Sequence, residues 1–304
     1  MSFFLKNKFE TLKKAIEAND LSKVKSLVKN ETDANMEDKD QETLLHIACK
    51  KSFDSIVTFL LEKGADPSKK DKKGRTPLYI ASYNGHYYVV ELLIKHFIDK
   101  KYTFNPILTN KLYLESELNE GNEDGTTPIG VASWNGNDAI IELLIKNGAD
   151  PNKADMNRET PILKATKYRQ FHTVNLLLSY HADPNIASKD GYTPLIWIIK
   201  DQFYYKDEEE RKEMIINLLK HGAEIPNFDY RKTDPSGLKR KLFEEYMTTI
   251  QNTGNTNVDD KELPFMGPGI DEGGGKRKTN KRRKTNKKRK TNKKRKTNKK
   301  RKTK

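Results

Sequence analysis

The sequence predicts an all-α protein built as a repeat solenoid, and three periodic features predict it. Five short blocks, ETLLHIA, RTPLYIA, TTPIGVA, ETPILKA and YTPLIWI, place threonines at 43, 76, 127, 160 and 193. The spacings are 33, 51, 33 and 33, the long one being 33 plus an 18-residue insertion. Seventeen to eighteen residues after each of the first four threonines comes an aliphatic pair: Leu60-Leu61, Leu93-Ile94, Leu144-Ile145 and Leu177-Leu178. A GADP or HADP block follows three of these pairs, at 64–67, 148–151 and 181–184. One helix pair of 33 residues cannot close a core by itself, but a stack of them can.

The stack is expected over residues 8–226. Extending the period backwards puts Leu12, Ala15, Leu27-Val28 and Asp33 in a degenerate first repeat. In the repeats that follow, threonine before proline opens a helix: the hydroxyl caps, and proline occupies the first helical position, where its missing N–H costs nothing. A small residue five places on (Ala48, Ala81, Ala132, Ala165) lets the neighbouring backbone approach. Gly85 and Gly136 end this short first helix. The aliphatic pairs lie at helical spacing from Val57, Val89-Val90 and Ile140-Ile141, on a second helix that the GADP turn breaks. The insertion, about 97–122, contains HFIDKKYTFNPILTNKLYLES. It should bulge from the stack as an extended second helix or a loop, with its aromatics and leucines packed on the body or offered to a partner. The sixth repeat starts at Thr193, carries about eight extra residues around FYYKDEEERK, and reaches Leu218-Leu219 and Gly222-Ala223. Its DEEERKE run, 207–213, reads as a solvated charged helix or loop. One period later Asp234-Pro235 opens an amphipathic helix, 234–250, with Leu238, Leu242, Phe243, Tyr246, Met247 and Ile250 on one face, expected to cap the stack.

Charge divides the chain. Of the 29 residues from 276 to 304, twenty are Lys or Arg and none is acidic, in a near-perfect six-residue repeat KRKTNK. The other 275 residues hold 38 basic and 43 acidic side chains, so the net charge of +15 belongs to this tail. The tail is expected to be disordered, since like charges without apolar residues repel and bury nothing. Residues 251–275, polar and rich in Gly and Pro, read as a flexible linker. Three roles fit the tail: a nuclear-import signal, a DNA or RNA tether acting by counterion release without base stacking, or a solubilising appendage; an anionic membrane surface is a fourth, without a lipidation motif to accompany it. Each of its threonines follows a basic run, a setting for phosphorylation that would remove positive charge.

The single cysteine, Cys49, rules out an internal disulfide and fits a reducing compartment. The apolar run near the start, in MSFFLKN, is too short for a signal-peptide core, and no stretch reaches the roughly 20 apolar residues of a membrane span. A cytoplasmic or nuclear, non-secreted monomer is therefore expected. No catalytic or metal-binding pattern stands out. The six histidines (46, 86, 96, 172, 181, 221) are scattered, no HExxH occurs, and the glycines 273–275 lack the strand and helix of a phosphate loop. His46 stands three residues from Cys49, but with no orienting third group the pair is no nucleophilic site, and Cys49 reads as an inert core thiol. No cofactor and no enzymatic activity are expected.

The blocks resemble the ankyrin repeat, GRTPLYIASYNGHYYVVELLI at 74–94 most closely. The resemblance implies about six helix–turn–helix repeats joined by hairpin loops, and a concave face of hairpin tips and first helices that binds a partner protein. Carried over from each threonine, the candidate partner-binding residues are Lys50, Lys72, Lys73, Arg75, Tyr83, Asn84, Glu123, Asp124, Trp134, Asn135, Lys167, Tyr168 and Tyr192. Tyr83, Trp134 and Tyr168 fall at corresponding places on three successive repeats and are expected to be exposed, as interface anchors or half-packed on neighbours. The tips alternate in sign, basic at 72–75 and acidic at 123–124, which favours a protein of mixed charge over a polyanion. Two departures stand out. The motif histidine survives only as His46, with Tyr79, Gly130, Leu163 and Ile196 elsewhere, so its hydrogen-bond network should be mostly absent. Ile198 replaces the small alanine in the last repeat. The tail also resembles those of ankyrin-repeat proteins of large DNA viruses, which implies action inside an infected host cell. The expected function is a protein–protein adaptor with a basic tail that engages import factors, DNA or RNA. The alternative is a nucleic-acid-binding protein whose repeats are a spacer.

Overall fold

Each threonine of the period caps a helix. The hydroxyls of Thr76, Thr127 and Thr160 accept the backbone N–H three residues on, at 3.2, 3.2 and 3.3 Å, with proline in the first turn. Thr43 and Thr193 do the same toward His46 and Ile196. The structure, a computed structural model, describes residues 3–99, 108–200 and 208–224. The expected cap at 234–250, the linker 251–275 and the tail 276–304 lie outside the described residues.

The described residues form helices joined by turns, with one isolated bridge between Glu37 and Thr43. In order they are α1 (Phe3–Glu17), α2 (Leu21–Leu27), α3 (Glu31–Ala34), α4 (Leu44–Lys51), α5 (Asp54–Glu62), α6 (Pro77–Asn84), α7 (Tyr87–Asp99), α8 (Leu108–Leu118), α9 (Pro128–Asn135), α10 (Asp138–Lys146), α11 (Pro161–Lys167), α12 (Phe171–Ser179), α13 (Pro194–Lys200) and α14 (Glu208–Lys220). Two layers result. The inner layer runs α1, α4, α6, α9, α11, α13, and the outer layer α2, α5, α7, α10, α12, α14, each helix packing on its neighbours. This is an all-α repeat solenoid.

One core threads the layers. Ala48, Ala81, Ala132 and Ala165 are fully buried where inner helices touch, and Val57, Leu60, Val90, Leu93, Ile141, Leu144 and Leu177 fill the space beneath the outer ones. Ile198, large where its counterparts are small, is also fully buried. Cys49 is sealed in this core, and burial pushes its thiol far above the usual range, which removes it as a nucleophile. The tight turns need left-handed backbone. Gly85 and Gly136 supply it after α6 and α9 (φ 76° and 72°), while Ser52 and Arg169 adopt it without glycine at the matching places.

The insertion forms structure of its own. Helix α7 runs on to Asp99, and α8 packs against it, with Phe97 edge-on to Tyr113 and Leu118 buried. The charged run at the start of α14 is less solvated than its sequence suggests. Arg211 is buried because it falls on the same helical stripe as Met214, Ile215 and Leu218.

Candidate functional site

The tips come first. At the residue five before each threonine, a side-chain oxygen folds the turn. Asp71 Oδ1 accepts the N–H groups of Lys73 and Arg75 at 2.9 Å, and Asp155 Oδ1 those of Asn157 and Glu159 at 2.8 Å. Asp38 and Asn122 act alike. Adjacent tips are then joined main chain to main chain. Lys72 donates to Asp40, Glu123 to Lys73, Met156 to Asp124 and Lys189 to Asn157, at 2.8–3.0 Å. The tips thus form a continuous edge that holds variable side chains at fixed intervals.

Seven of the thirteen candidate residues line one hollow of about 420 Å3: Lys50, Lys73, Arg75, Tyr83, Asn84, Glu123 and Asp124. Three residues that sequence reasoning did not select, Asn122, Tyr79 and Ile80, complete it. Tyr79 and Ile80 join Val131 in a small apolar cluster separate from the main core. The signal for them was present: positions three and four after the threonine stay apolar or aromatic in most repeats. Tyr83 stands 49% exposed at the edge, its carbonyl held by Asn135 Nδ2 at 2.8 Å. Arg75 is fixed by Asp71 through Nε (2.7 Å) and Nη2 (2.5 Å). Asp71 is buried, which alone would raise its pKa; its hydrogen bonds from Arg75 outweigh that and hold the carboxyl below the ordinary 3.8. Burial pushes the Tyr79 phenol above its ordinary 10.0.

The other candidates lie along the same inner face. Counted from their threonines, Tyr83 and Trp134 are seventh and Tyr168 eighth, so the three places are not equivalent. Tyr168, on the cap of α11, instead stacks on Trp134, with ring centroids 4.6 Å apart. That leaves Trp134 half-buried and Tyr168 48% exposed. Lys167 lies over the Trp197 ring at 4.5 Å, and Tyr192 meets the edge of that ring. Lys72 pairs with Asp40 at 3.2 Å outside the hollow. Lys164 is buried and pairs with Asp155 (2.5 Å) and Glu159 (3.3 Å), a network the sequence did not announce. Among the described residues no group of three or more His, Cys, Asp or Glu is placed to hold a metal ion. No described helix is long and apolar enough to cross a membrane.

Comparison with known proteins gives the setting. The family model "Ankyrin repeats (3 copies)" matches residues 12–103 and 129–229, together more than half of the chain. A stretch of 118 residues, 39% of this chain, is 35% identical to NF-kappa-B inhibitor alpha of Sus scrofa and covers 34% of it. A 154-residue stretch, 50% of this chain, is 32% identical to alpha-latrocrustotoxin-Lt1a of Latrodectus tredecimguttatus, covering 10% of it. A third match, 31% identical over 121 residues, is to neurogenic locus notch homolog protein 1 of Danio rerio, covering 4%. The chain therefore spans about a third or less of the length of these relatives.

Proposed function

The chain belongs to the ankyrin-repeat family, and from that premise we propose that it is a non-enzymatic protein–protein interaction scaffold or adaptor. Ankyrin domains generally act as protein-interaction modules. The inner face takes the partner, and the basic segment 276–304 serves as a nuclear address or a polyanion tether. The observation that carries the reading is the hollow at Tyr83, where apolar side chains, an exposed aromatic and both signs of charge converge on the tips and first helices. NF-kappa-B inhibitor alpha, by its name, acts on another protein, which supports the same class. The tail's likeness to those of viral ankyrin-repeat proteins would place this adaptor in an infected cell, and it rests on composition alone.

The test is affinity capture from the native cell with full-length protein, residues 1–250 and full-length Tyr83→Ala, each with and without nuclease. One protein should be retained by the first two, resist nuclease and be lost from Tyr83→Ala, whose melting temperature stays unchanged. The second reading is a nucleic-acid-binding protein in which the repeats are a spacer, favoured by twenty basic residues within 29. It predicts that all captured material needs the tail and vanishes with nuclease.

A further inference from the structure

One stripe of each inner helix looks toward the repeat that follows. It runs through the capping threonine and the third and sixth residues after it. His46 Nε2 reaches the Arg75 carbonyl of the next repeat at 2.9 Å, and a Cβ placed on Gly130 would meet the Lys164 side chain of the next repeat at 3.9 Å. In the repeats of α4, α6, α9 and α11 all three places are buried, as at Thr160, Leu163 and Thr166. In the repeat of α13 the same places, Thr193, Ile196 and Ile199, are only half-buried. The sixth place holds a thiol or a hydroxyl in the earlier repeats and isoleucine here. A terminal repeat that faces water carries a polar outer side. With two isoleucines on that side, α13 is built to be covered.

We propose that the cover is a segment of this same chain, residues 234–250, which lies outside the described residues. The register carries the assignment. Gly64, Gly148 and His181, left-handed in the turns after α5, α10 and α12, stand twelve residues before the capping threonines 76, 160 and 193. The turn after α14 is made in the same way. Gly222 has a φ of 83°, Ala223 N–H donates to the Leu218 carbonyl at 3.0 Å, and Asn185 Nδ2 holds the Gly222 carbonyl at 2.8 Å. Twelve residues past Gly222 comes Asp234-Pro235. Aspartate caps a helix as threonine does, and proline suits the first helical position. The chain thus leaves α14 on the course that lays a first helix against the one before it. Leu238, Leu242, Tyr246 and Ile250, four residues apart, give that helix an apolar stripe for Ile196 and Ile199, with Lys241, Glu244 and Thr248 on its other side. A second copy of the chain is the rival occupant. It would have to compete with a segment tethered ten residues past Glu224, at an effective concentration of about millimolar. The proposal is independent of what the inner face binds.

Hydrogen exchange of the full-length protein tests it, with Leu242→Asp on the stripe and Thr248→Asp off it. In the native protein the amides of 238–250 should exchange at least about tenfold more slowly than those of 276–304. Leu242→Asp should speed exchange by about tenfold both in 238–250 and in α13, residues 194–200, while α6, residues 77–84, keeps its native rate. Thr248→Asp should change none of the three. Should the aspartate open 77–84 as well, the milder Leu242→Ala is scored on the same segments. Exchange of 238–250 as fast as 276–304 in the native protein overturns the proposal, and sedimentation as a dimer would then put a second copy on α13. A Leu242 variant that frees 238–250 and leaves 194–200 at its native rate overturns it too, because the segment would then pack on another face.

Discussion

His46 ties two repeats together with one ring. Its Nδ1 accepts the Thr43 N–H at 3.2 Å and lies 2.7 Å from the Thr43 hydroxyl, while its Nε2 reaches the Arg75 carbonyl, just before the next capping threonine, at 2.9 Å. The geometry requires the neutral ring protonated on Nε2, since a proton on Nδ1 would point at the Thr43 N–H. Burial holds this imidazole below its ordinary 6.5. The unfolded chain therefore takes up the proton first as pH falls. The stability due to His46 is complete above about 6.5 and declines from there down to the lower folded value. His46→Leu, the residue type found at the matching place in α11, should cost about 1–3 kcal/mol at pH 7.5 by leaving Thr43 N–H and Arg75 C=O unmet. It should also flatten the loss of stability between pH 7 and pH 5, as read from urea midpoints across pH; an unchanged slope in the variant would mean that another group controls it. The capping threonines and the Thr43 contact of this histidine were legible because those partners lie three residues away; its bond to Arg75, 29 residues on, was not. Lys164 was not: a lysine in a slot that holds Ile80 and Val131 elsewhere looks solvated until Asp155 and Glu159 are seen to surround it. Arg211 was missed for the same reason, a long polar side chain set on an apolar stripe.

Between elements, a ladder of asparagines staples each turn to the next. Asn35 donates to the Gly64 carbonyl (2.7 Å) and accepts the Asp66 N–H (2.8 Å). Asn119 bonds Gly148 and Asp150, Asn152 accepts from Asp183, and Asn185 bonds Gly222 and Glu224. Each stands eight residues before a capping threonine, and the one exception is Ser68, which bonds Asp66 within its own turn. That exception sits where α7 runs on to Asp99, through the places that Gly64 and Asp66 take one period earlier, so an asparagine at 68 would meet helix there rather than a turn. Asn35→Ala should destabilise the stack by about 1–2 kcal/mol through an orphaned N–H and C=O. Ser68→Asn should stay within about 0.5 kcal/mol of the native protein. Thermal melts of both decide it, and a gain of 1 kcal/mol from Ser68→Asn would show that the rung can form across the insertion after all. The period of these asparagines was on the page in the sequence, but their function was not, because a bond 29 to 39 residues away leaves no local signature. The insertion was legible as extra length with apolar side chains; its folding into α8 depends on Phe97 meeting Tyr113, a contact between helices rather than a pattern within one.

At the scale of the whole molecule, the charge distribution separates the two roles proposed above. Residues 1–275 carry five more acidic than basic side chains, and their inner face presents both signs, so this part has no electrostatic reason to hold a polyanion. The segment 276–304 has every reason to, with twenty cations and nothing apolar or aromatic to read a base. Its affinity for a duplex of arbitrary sequence should then be set by counterion release alone. With six or more phosphates neutralised, log affinity should fall against log salt with a slope of about −5 or steeper. The measurement is fluorescence anisotropy of a labelled duplex, from about 50 to 200 mM salt, with the full chain, with Tyr83→Ala and with residues 276–304 removed. The full chain and Tyr83→Ala should give the same steep line, because the substitution changes no charge and leaves 276–304 intact. The truncated chain should show no binding across the range. A duplex affinity that survives truncation would have to come from the stack, where Glu123 and Asp124 would oppose it. It would mean that cations elsewhere on the repeats outweigh them, and that the division of labour between stack and tail is wrong.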